Sequence, residues 1–290
     1  MNITDRCNSH EMTNSLRARC SFSRKRWVAV LFLCVVLNLS ASSQSISVPP
    51  SRVLVEDEEL VYNVRYSFID LGQVKIRVMH KVQTPEYSAY HAIANINSYK
   101  GVPFVDLAAI YESDIDSSVY SHAFVGKSKE GKVWDFARYK FEYDRNRVLV
   151  DKGRRDTIVE HRDTVEIDRH MQDGLSLFFY ARDQLFSGKR MNIPCFVTER
   201  KVNTYIDFSR QERKSVDLDA VDYPVDVIGF DGTAEFVGIY GLTGDFEGWF
   251  SNDDARIPIV AKMKVIIGSV TLELVSWKRS GWKPPRGNER

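Results

Sequence analysis

Between residues 60 and 277 apolar and polar side chains alternate with a period of two over most of the chain, and this pattern constrains the fold more than any other feature. Side chains on an extended strand point alternately to opposite faces, so the pattern gives each strand one face to bury and one to wet. Leu60, Tyr62, Val64 and Tyr66 alternate with Val61, Asn63 and Arg65. After a turn at Leu71-Gly72 the stripe resumes with Val74, Ile76, Val78, His80 and Val82. His80 continues this stripe and is expected at the edge of a core, not as a ligand. Strand-like runs follow at residues 87–96, 102–112, 118–125, 133–143 and 147–150. After one interruption they return at 193–202, 204–208, 212–218, 225–230, 233–240, 257–267 and 269–277. Turn-forming residues separate these runs at intervals of roughly 8–12 residues, the spacing of a sandwich or barrel of antiparallel neighbours. Lys129-Glu130-Gly131-Lys132, Asp144-Arg145-Asn146 and Asp231-Gly232 have the composition of hairpin tips.

One segment breaks the period. In residues 173–188, Leu175, Phe178, Phe179, Arg182, Leu185 and Phe186 recur at helical spacing, with Asp173 placed as N-cap and Gly188 as C-terminal stop. The expected fold is therefore mainly β: an antiparallel sheet curled into an open barrel or sandwich, with one amphipathic helix packed on its concave side. Arg182, set among four apolar residues, then requires a carboxylate or carbonyl partner, because an unpaired buried charge is very costly.

The first residues read as a targeting segment. Arg17, Arg19, Arg24, Lys25 and Arg26 precede the apolar run 27–40, and Ala41-Ser42-Ser43 supplies the small residues of a cleavage site before Gln44. The apolar run falls short of the roughly 20 residues a spanning helix needs. An uncleaved anchor is the rival reading, and Met12 offers an alternative start. The expectation is an exported protein of the periplasm or cell envelope, with no stable transmembrane segment once the signal is removed. Residues 1–43 hold six of the 40 Lys+Arg and two of the 39 Asp+Glu, which leaves 34 basic against 37 acidic residues. A near-neutral balance of this kind argues against nucleic acid, which usually demands a basic stripe. Cys7, Cys20 and Cys34 fall in the same segment, so the mature chain keeps only Cys195 and can form no internal disulfide.

Chemistry is sparse. The sequence holds no G-x-S-x-G elbow, P-loop, G-x-G-x-x-G or H-E-x-x-H, and no cofactor is implied. His161 and His170 bracket Asp163, Glu166 and Asp168, but alternating strand residues between charged turns produce the same pattern, and no metal ligand is assigned. No catalytic residue is assigned either. The candidate binding residues are Trp249, Asp253, Asp254, Arg256 and Arg182. The first four lie in residues 248–274, where a tryptophan leads into the turn Asn252-Asp253-Asp254, then Arg256, a strand opened by Pro258, a break at Gly268 and a second strand. Asp and Asn in turns usually bond their own backbone. The first reading of this stretch is accordingly a tied hairpin, in which one carboxylate caps turn amides and Arg256 reaches an acceptor elsewhere.

Three motifs occur in order: E-x-L-x-Y-x-V-R-Y (residues 58–66) followed by Leu71-Gly72, D-G-L-S-L-F-F-Y-A-R (173–182), and W-F-S-N-D-D-A-R-I-P (249–258) with Gly268-Ser269-Val270. Together they resemble domain-of-unknown-function family 3108, a bacterial exported family. The resemblance spans residues 56–274 and implies an envelope protein, mainly β, with no established activity, so no catalytic role carries over. The expected layout is a signal peptide (1–43), a linker (44–55), a single β-rich domain (56–277) and a basic flexible tail (278–290). The expected function is non-enzymatic binding of a lipid, another apolar or amphiphilic ligand, or an envelope protein partner in the sheet's concavity. The alternatives are a hydrolase using a carboxylate near Asp253/Asp254, and a structural or assembly component of the envelope. A large apolar cavity under the helix would favour the binder, and clustered carboxylates in an open cleft the enzyme.

Overall fold

The computed structural model describes residues 51–102, 106–155, 157–236, 244–264 and 268–288. The leader and most of the linker expected from the sequence lie outside these residues. Eight strands precede the helix: β1 (Glu59–Tyr66), β2 (Ile69–Gln83), β3 (Ser88–Ser98), β4 (Ala108–Ile115), β5 (Ser121–Glu130), β6 (Val133–Glu142), β7 (Arg147–Arg154) and β8 (Ile158–Glu166). The helix, α1, is Ser176–Gln184. Seven strands follow: β9 (Arg190–Val197), β10 (Arg200–Asp207), β11 (Arg213–Val216), β12 (Val225–Ala234), β13 (Gly244–Ser251), β14 (Pro258–Lys264) and β15 (Ser269–Lys278).

All of these strands belong to one antiparallel sheet, in the order β8-β7-β6-β5-β4-β3-β2-β1-β15-β14-β13-β12-β10-β9, with β11 paired to β12 beside that path. Each strand through β8 pairs with its predecessor, as a chain of turns at this spacing dictates. A long-range pairing joins the ends of the domain, from Glu59↔Lys278 to Tyr66↔Val270. The sheet does not close: no pairing of β8 with β9 is formed, and the free edge of β9 is covered instead by the chain leaving β8. There Gln172 N–H donates to the Pro194 carbonyl (2.9 Å) and Phe196 N–H to the Gln172 carbonyl (2.7 Å). A covered edge cannot template pairing with another chain.

The helix fills the concave side. Asp173 is fully buried and Oδ1 accepts the Leu175 and Ser176 amides at 2.6 and 2.7 Å, while Ser113 Oγ donates to Oδ2. This is the N-cap expected from the sequence. Phe179 packs with the larger apolar cluster, built on Leu60, Tyr62, Ile76 and Leu274; Ala181 and Leu185 pack with a second, built on Ile193, Ile206, Ile228 and Phe250.

Several local expectations are corrected. Asp231-Gly232 is not a hairpin tip, because β12 runs straight through it. Gly232 pairs with Phe246, and a Cβ at Gly232 would stand 2.4 Å from that ring. Phe230 lies over Gly248 in the same way, its ring 2.6 Å from a Cβ built there. These glycines make room for a ring on the neighbouring strand and do not make a turn. His80 is exposed, because a register shift between Val78 and Lys81 breaks the alternation that placed it in the stripe. Phe186, beyond the last helical turn, is 39 % exposed. Val53 and Leu54, expected in the linker, are core residues. Residues 279–288, expected as a mobile tail, are tied down: Asp226 N–H donates to the Pro285 carbonyl, Gly287 N–H to the Pro224 carbonyl, and Trp282 Nε1 to Asp253.

Candidate functional site

Beneath α1 lies a cavity of about 320 Å³. Its roof is the helix, through Leu177, Phe178 and Ala181, with Leu175 just ahead of it. Tyr62, Val64, Val74, Ile76, Ala94 and Ile96 form the wall on β1, β2 and β3. Ile206, Phe230, Phe246, Ala261, Met263 and Leu272 form the opposite wall on β10 and β12–β15. Strand alternation sends these residues inward, and their near-uniform apolarity follows from the period-two pattern. Ala94 and Ala261 leave the room that larger residues would have filled.

Polar groups at the wall are few. Thr204 Oγ1 is already in contact with Cys195 Sγ at 3.5 Å. Burial pushes the Tyr111 phenol up to about 12. Burial likewise raises the Tyr62 phenol far above its ordinary range, against the opposing pull of Arg182, and its buried hydroxyl has no hydrogen bond among the described residues. Cys195 is buried, and burial pushes its thiol up to about 12, which keeps it from acting as a thiolate nucleophile.

The five residues singled out from the sequence stand elsewhere, and three of them come together. Arg182, fully buried, donates from Nη1 to Glu58 Oε1 (2.6 Å), from Nη2 to Glu58 Oε2 (3.1 Å) and the Ala255 carbonyl (3.0 Å), and from Nε to the Arg256 carbonyl (3.2 Å). Arg256 returns the contact, donating from Nη1 to the carbonyls of Asp183 and Arg182. Its backbone has φ 49°, a left-handed conformation that a non-glycine residue holds only when its surroundings fix it. Asp253 Oδ1 accepts from Ser251 Oγ, Ala255 N–H and Arg256 N–H, and Oδ2 from Trp282 Nε1 (2.7 Å). The turn after β13 is thus a clasp joining the helix, the segment before β1 and the segment after β15.

Asp254 and Trp249 are apart from this clasp. Asp254 makes an exposed pair with Arg52 (2.9 Å), and the Trp249 ring centroid lies 3.7 Å from Lys214 Nζ and 5.4 Å from Lys262 Nζ. None of the five lines the cavity. Glu58 was missed: it sits in the run Glu56-Asp57-Glu58-Glu59, which reads as solvated, yet it is 2 % exposed and also accepts from Arg279. Among the described residues no group of three or more His, Cys, Asp or Glu is placed to hold a metal ion. His161, Asp163, Glu166 and Asp168 are exposed, and Asp168 pairs with its neighbour Arg169.

A family model described as a protein of unknown function, DUF3108, matches residues 61–275. No curated protein matches the chain significantly. Among solved structures, a β-barrel-like protein of domain-of-unknown-function family 1849 from Brucella abortus matches with a TM-score of 0.53 at 12 % identity, covering 78 % of this chain and 98 % of that one. That likeness is one of fold. A protein of YmcC-like fold from Bacteroides fragilis matches with a TM-score of 0.31 at 8 % identity, covering 79 % and 98 % of the two chains. Among the described residues no helix is long and apolar enough to cross a membrane.

Proposed function

This chain belongs to the DUF3108 family, proteins of unknown function, and on that premise we propose from its own geometry that it is a non-enzymatic carrier or binder of an apolar chain. The observation that carries this reading is the cavity of about 320 Å³ beneath α1, walled almost wholly by apolar side chains. Its volume falls in the range of small-ligand sites, roughly 300–1,000 Å³. Wall atoms facing unfilled space forfeit dispersion contacts, and a hydrocarbon chain restores them. Of the two carboxylates of the hydrolase reading, Asp253 already accepts from four donors within the clasp and Asp254 pairs with Arg52 at the exposed surface, away from the cavity. The basic and apolar pattern of residues 17–43 supports export to the periplasm or cell envelope, where such ligands are plentiful.

Native mass spectrometry of the protein purified from its source envelope tests the reading. The expected result is an added mass that organic solvent releases as a lipid. Ala94→Phe, which places a ring in the chamber, removes that mass while leaving the melting temperature unchanged or higher. Native protein that carries no added mass and binds no apolar fluorescent probe overturns the reading.

A further inference from the structure

The apolar chamber adjoins a second cavity of different chemistry, about 420 Å³ in volume. The two share Tyr111, Gly174 and Val197 as wall residues. Beyond that shared wall the lining turns polar: Lys127 on β5, Ser128 beside it, Asp135 on β6, Lys152 on β7, and Thr198 with Glu199 at the turn between β9 and β10. We infer that the ligand is a single-chain amphiphile with a zwitterionic headgroup, its chain in the apolar chamber and its headgroup among Lys127, Lys152, Asp135 and Glu199. The inference rests on the apolar-chain reading above and extends it to the class of ligand.

Three observations carry it. First, the second cavity balances two ammonium groups against two carboxylates. These groups are matched in the protein: Lys152 Nζ stands 2.7 Å from Glu199, Lys127 Nζ 4.0 Å from Glu112, and Asp135 3.4 Å from Arg154 Nε. A headgroup carrying both signs can exchange into such pairs, whereas a purely anionic one meets Asp135 and Glu199 as repulsion. Second, Thr198 and Glu199 both hold left-handed backbone, with φ of 52° and 59°, and neither is glycine. Left-handed backbone at both positions is the geometry of the two-residue hairpin turn between Val197 and Arg200, and it sets both side chains at the tip of that hairpin. There Glu199 is held by Tyr139 Oη (2.9 Å) and Lys152 Nζ (2.7 Å), both of which also line the cavity. Third, the shared wall has no side chain at Gly174 and carries a donor. A Cβ on Gly174 would meet only the Tyr111 ring, at 3.8 Å, so the phenol of Tyr111 stands beside Gly174 at the wall the two cavities share. With its phenol held protonated by burial, Tyr111 can donate to an ester or hydroxyl oxygen where chain meets headgroup.

Binding of N-phenyl-1-naphthylamine, an apolar probe, and its displacement by lysophosphatidylethanolamine and by a fatty acid of equal chain length test the inference. Native protein is expected to bind the probe and to take the lysophospholipid in preference to the fatty acid. Lys152→Met/Glu199→Met removes both charges of one pair, and Gly174→Leu narrows the junction. Each is expected to weaken the lysophospholipid by roughly tenfold and to leave probe binding unchanged. If the double variant melts early, Gly174→Leu carries the test alone. Equal or tighter binding of the fatty acid overturns the inference while the apolar-chain reading stands, as does retention of lysophospholipid affinity by the variants. Failure of native protein to bind the probe removes both.

Discussion

Arg182 shows what a single side chain can reveal before its surroundings are known. Its place in an apolar helical stripe demands a partner, and the structure supplies Glu58 and two carbonyls. The partner's identity was not legible, because Glu58 lies 124 positions away in an acidic run with nothing to mark it off. Removing one member of a buried pair strands the other charge, so Glu58→Gln is expected to lower stability by about 3–5 kcal/mol in urea denaturation. Replacing Arg182 and Glu58 together by apolar residues is expected to recover only part of that loss, because Arg279 loses its carboxylate and the Ala255 and Arg256 carbonyls lose their donor. The turn Asn252-Asp253-Asp254 separates two acids that look alike in sequence. Asp253→Asn is expected to cost about 1–3 kcal/mol, since its oxygens hold the clasp. Asp254→Asn, which breaks only an exposed pair, is expected to change stability by less than about 0.5 kcal/mol. Tyr62→Phe removes a buried hydroxyl with no partner among the described residues and is expected to be neutral or stabilising, read as an unchanged or higher melting temperature.

The elements were easier to read than their ends. Period-two stripes located most strands, and helical spacing located α1, because both signals average over many residues. Asp231-Gly232 misled because a glycine beside an aspartate has the same letters whether it turns the chain or receives a ring from the next strand. That distinction depends on Phe246, a residue of another strand. Within α1 the two phenylalanines part company: Phe179 is fully buried, whereas Phe178 is half-buried at the cavity wall with its ring edge-on to Tyr62. Phe179→Ala is expected to cost about 3–5 kcal/mol and Phe178→Ala distinctly less, as urea titration of both would show. The cap Asp173 carries a pH signature. Burial raises its carboxyl above the ordinary 3.8, against the hydrogen bonds from Ser113, Ser121 and the helix amides. A carboxyl whose folded value lies above its unfolded one holds its proton longer in the native state, so folding weakens as pH rises from about 4 through the folded value. Asp173→Asn keeps the cap acceptor and titrates nowhere. Its stability relative to native is expected to improve as pH rises over that interval, measured by melts at matched pH values.

At the scale of the molecule the curled sheet was legible and the cavity was not. Its walls come from Tyr62, Ala94, Ile206, Ala261, Met263 and Leu272, residues that nothing in the sequence brings together and whose alanines look like ordinary small core residues. The order of strands does so, and it also places β1 beside β15. Synthesis delivers the chain from its amino end, so β1 can pair with β2 within moments yet must wait for β15 until nearly all of the domain has emerged. Closing so long a loop adds entropy only logarithmically, and the penalty falls on rate more than on final stability. Refolding after a denaturant jump is expected on the order of seconds, with the last fluorescence phase reporting Trp277 on β15 as it reaches β1. Until that moment one margin of β1 is an open template for a foreign strand, so the nascent chain needs shelter for as long as its first strand awaits its last.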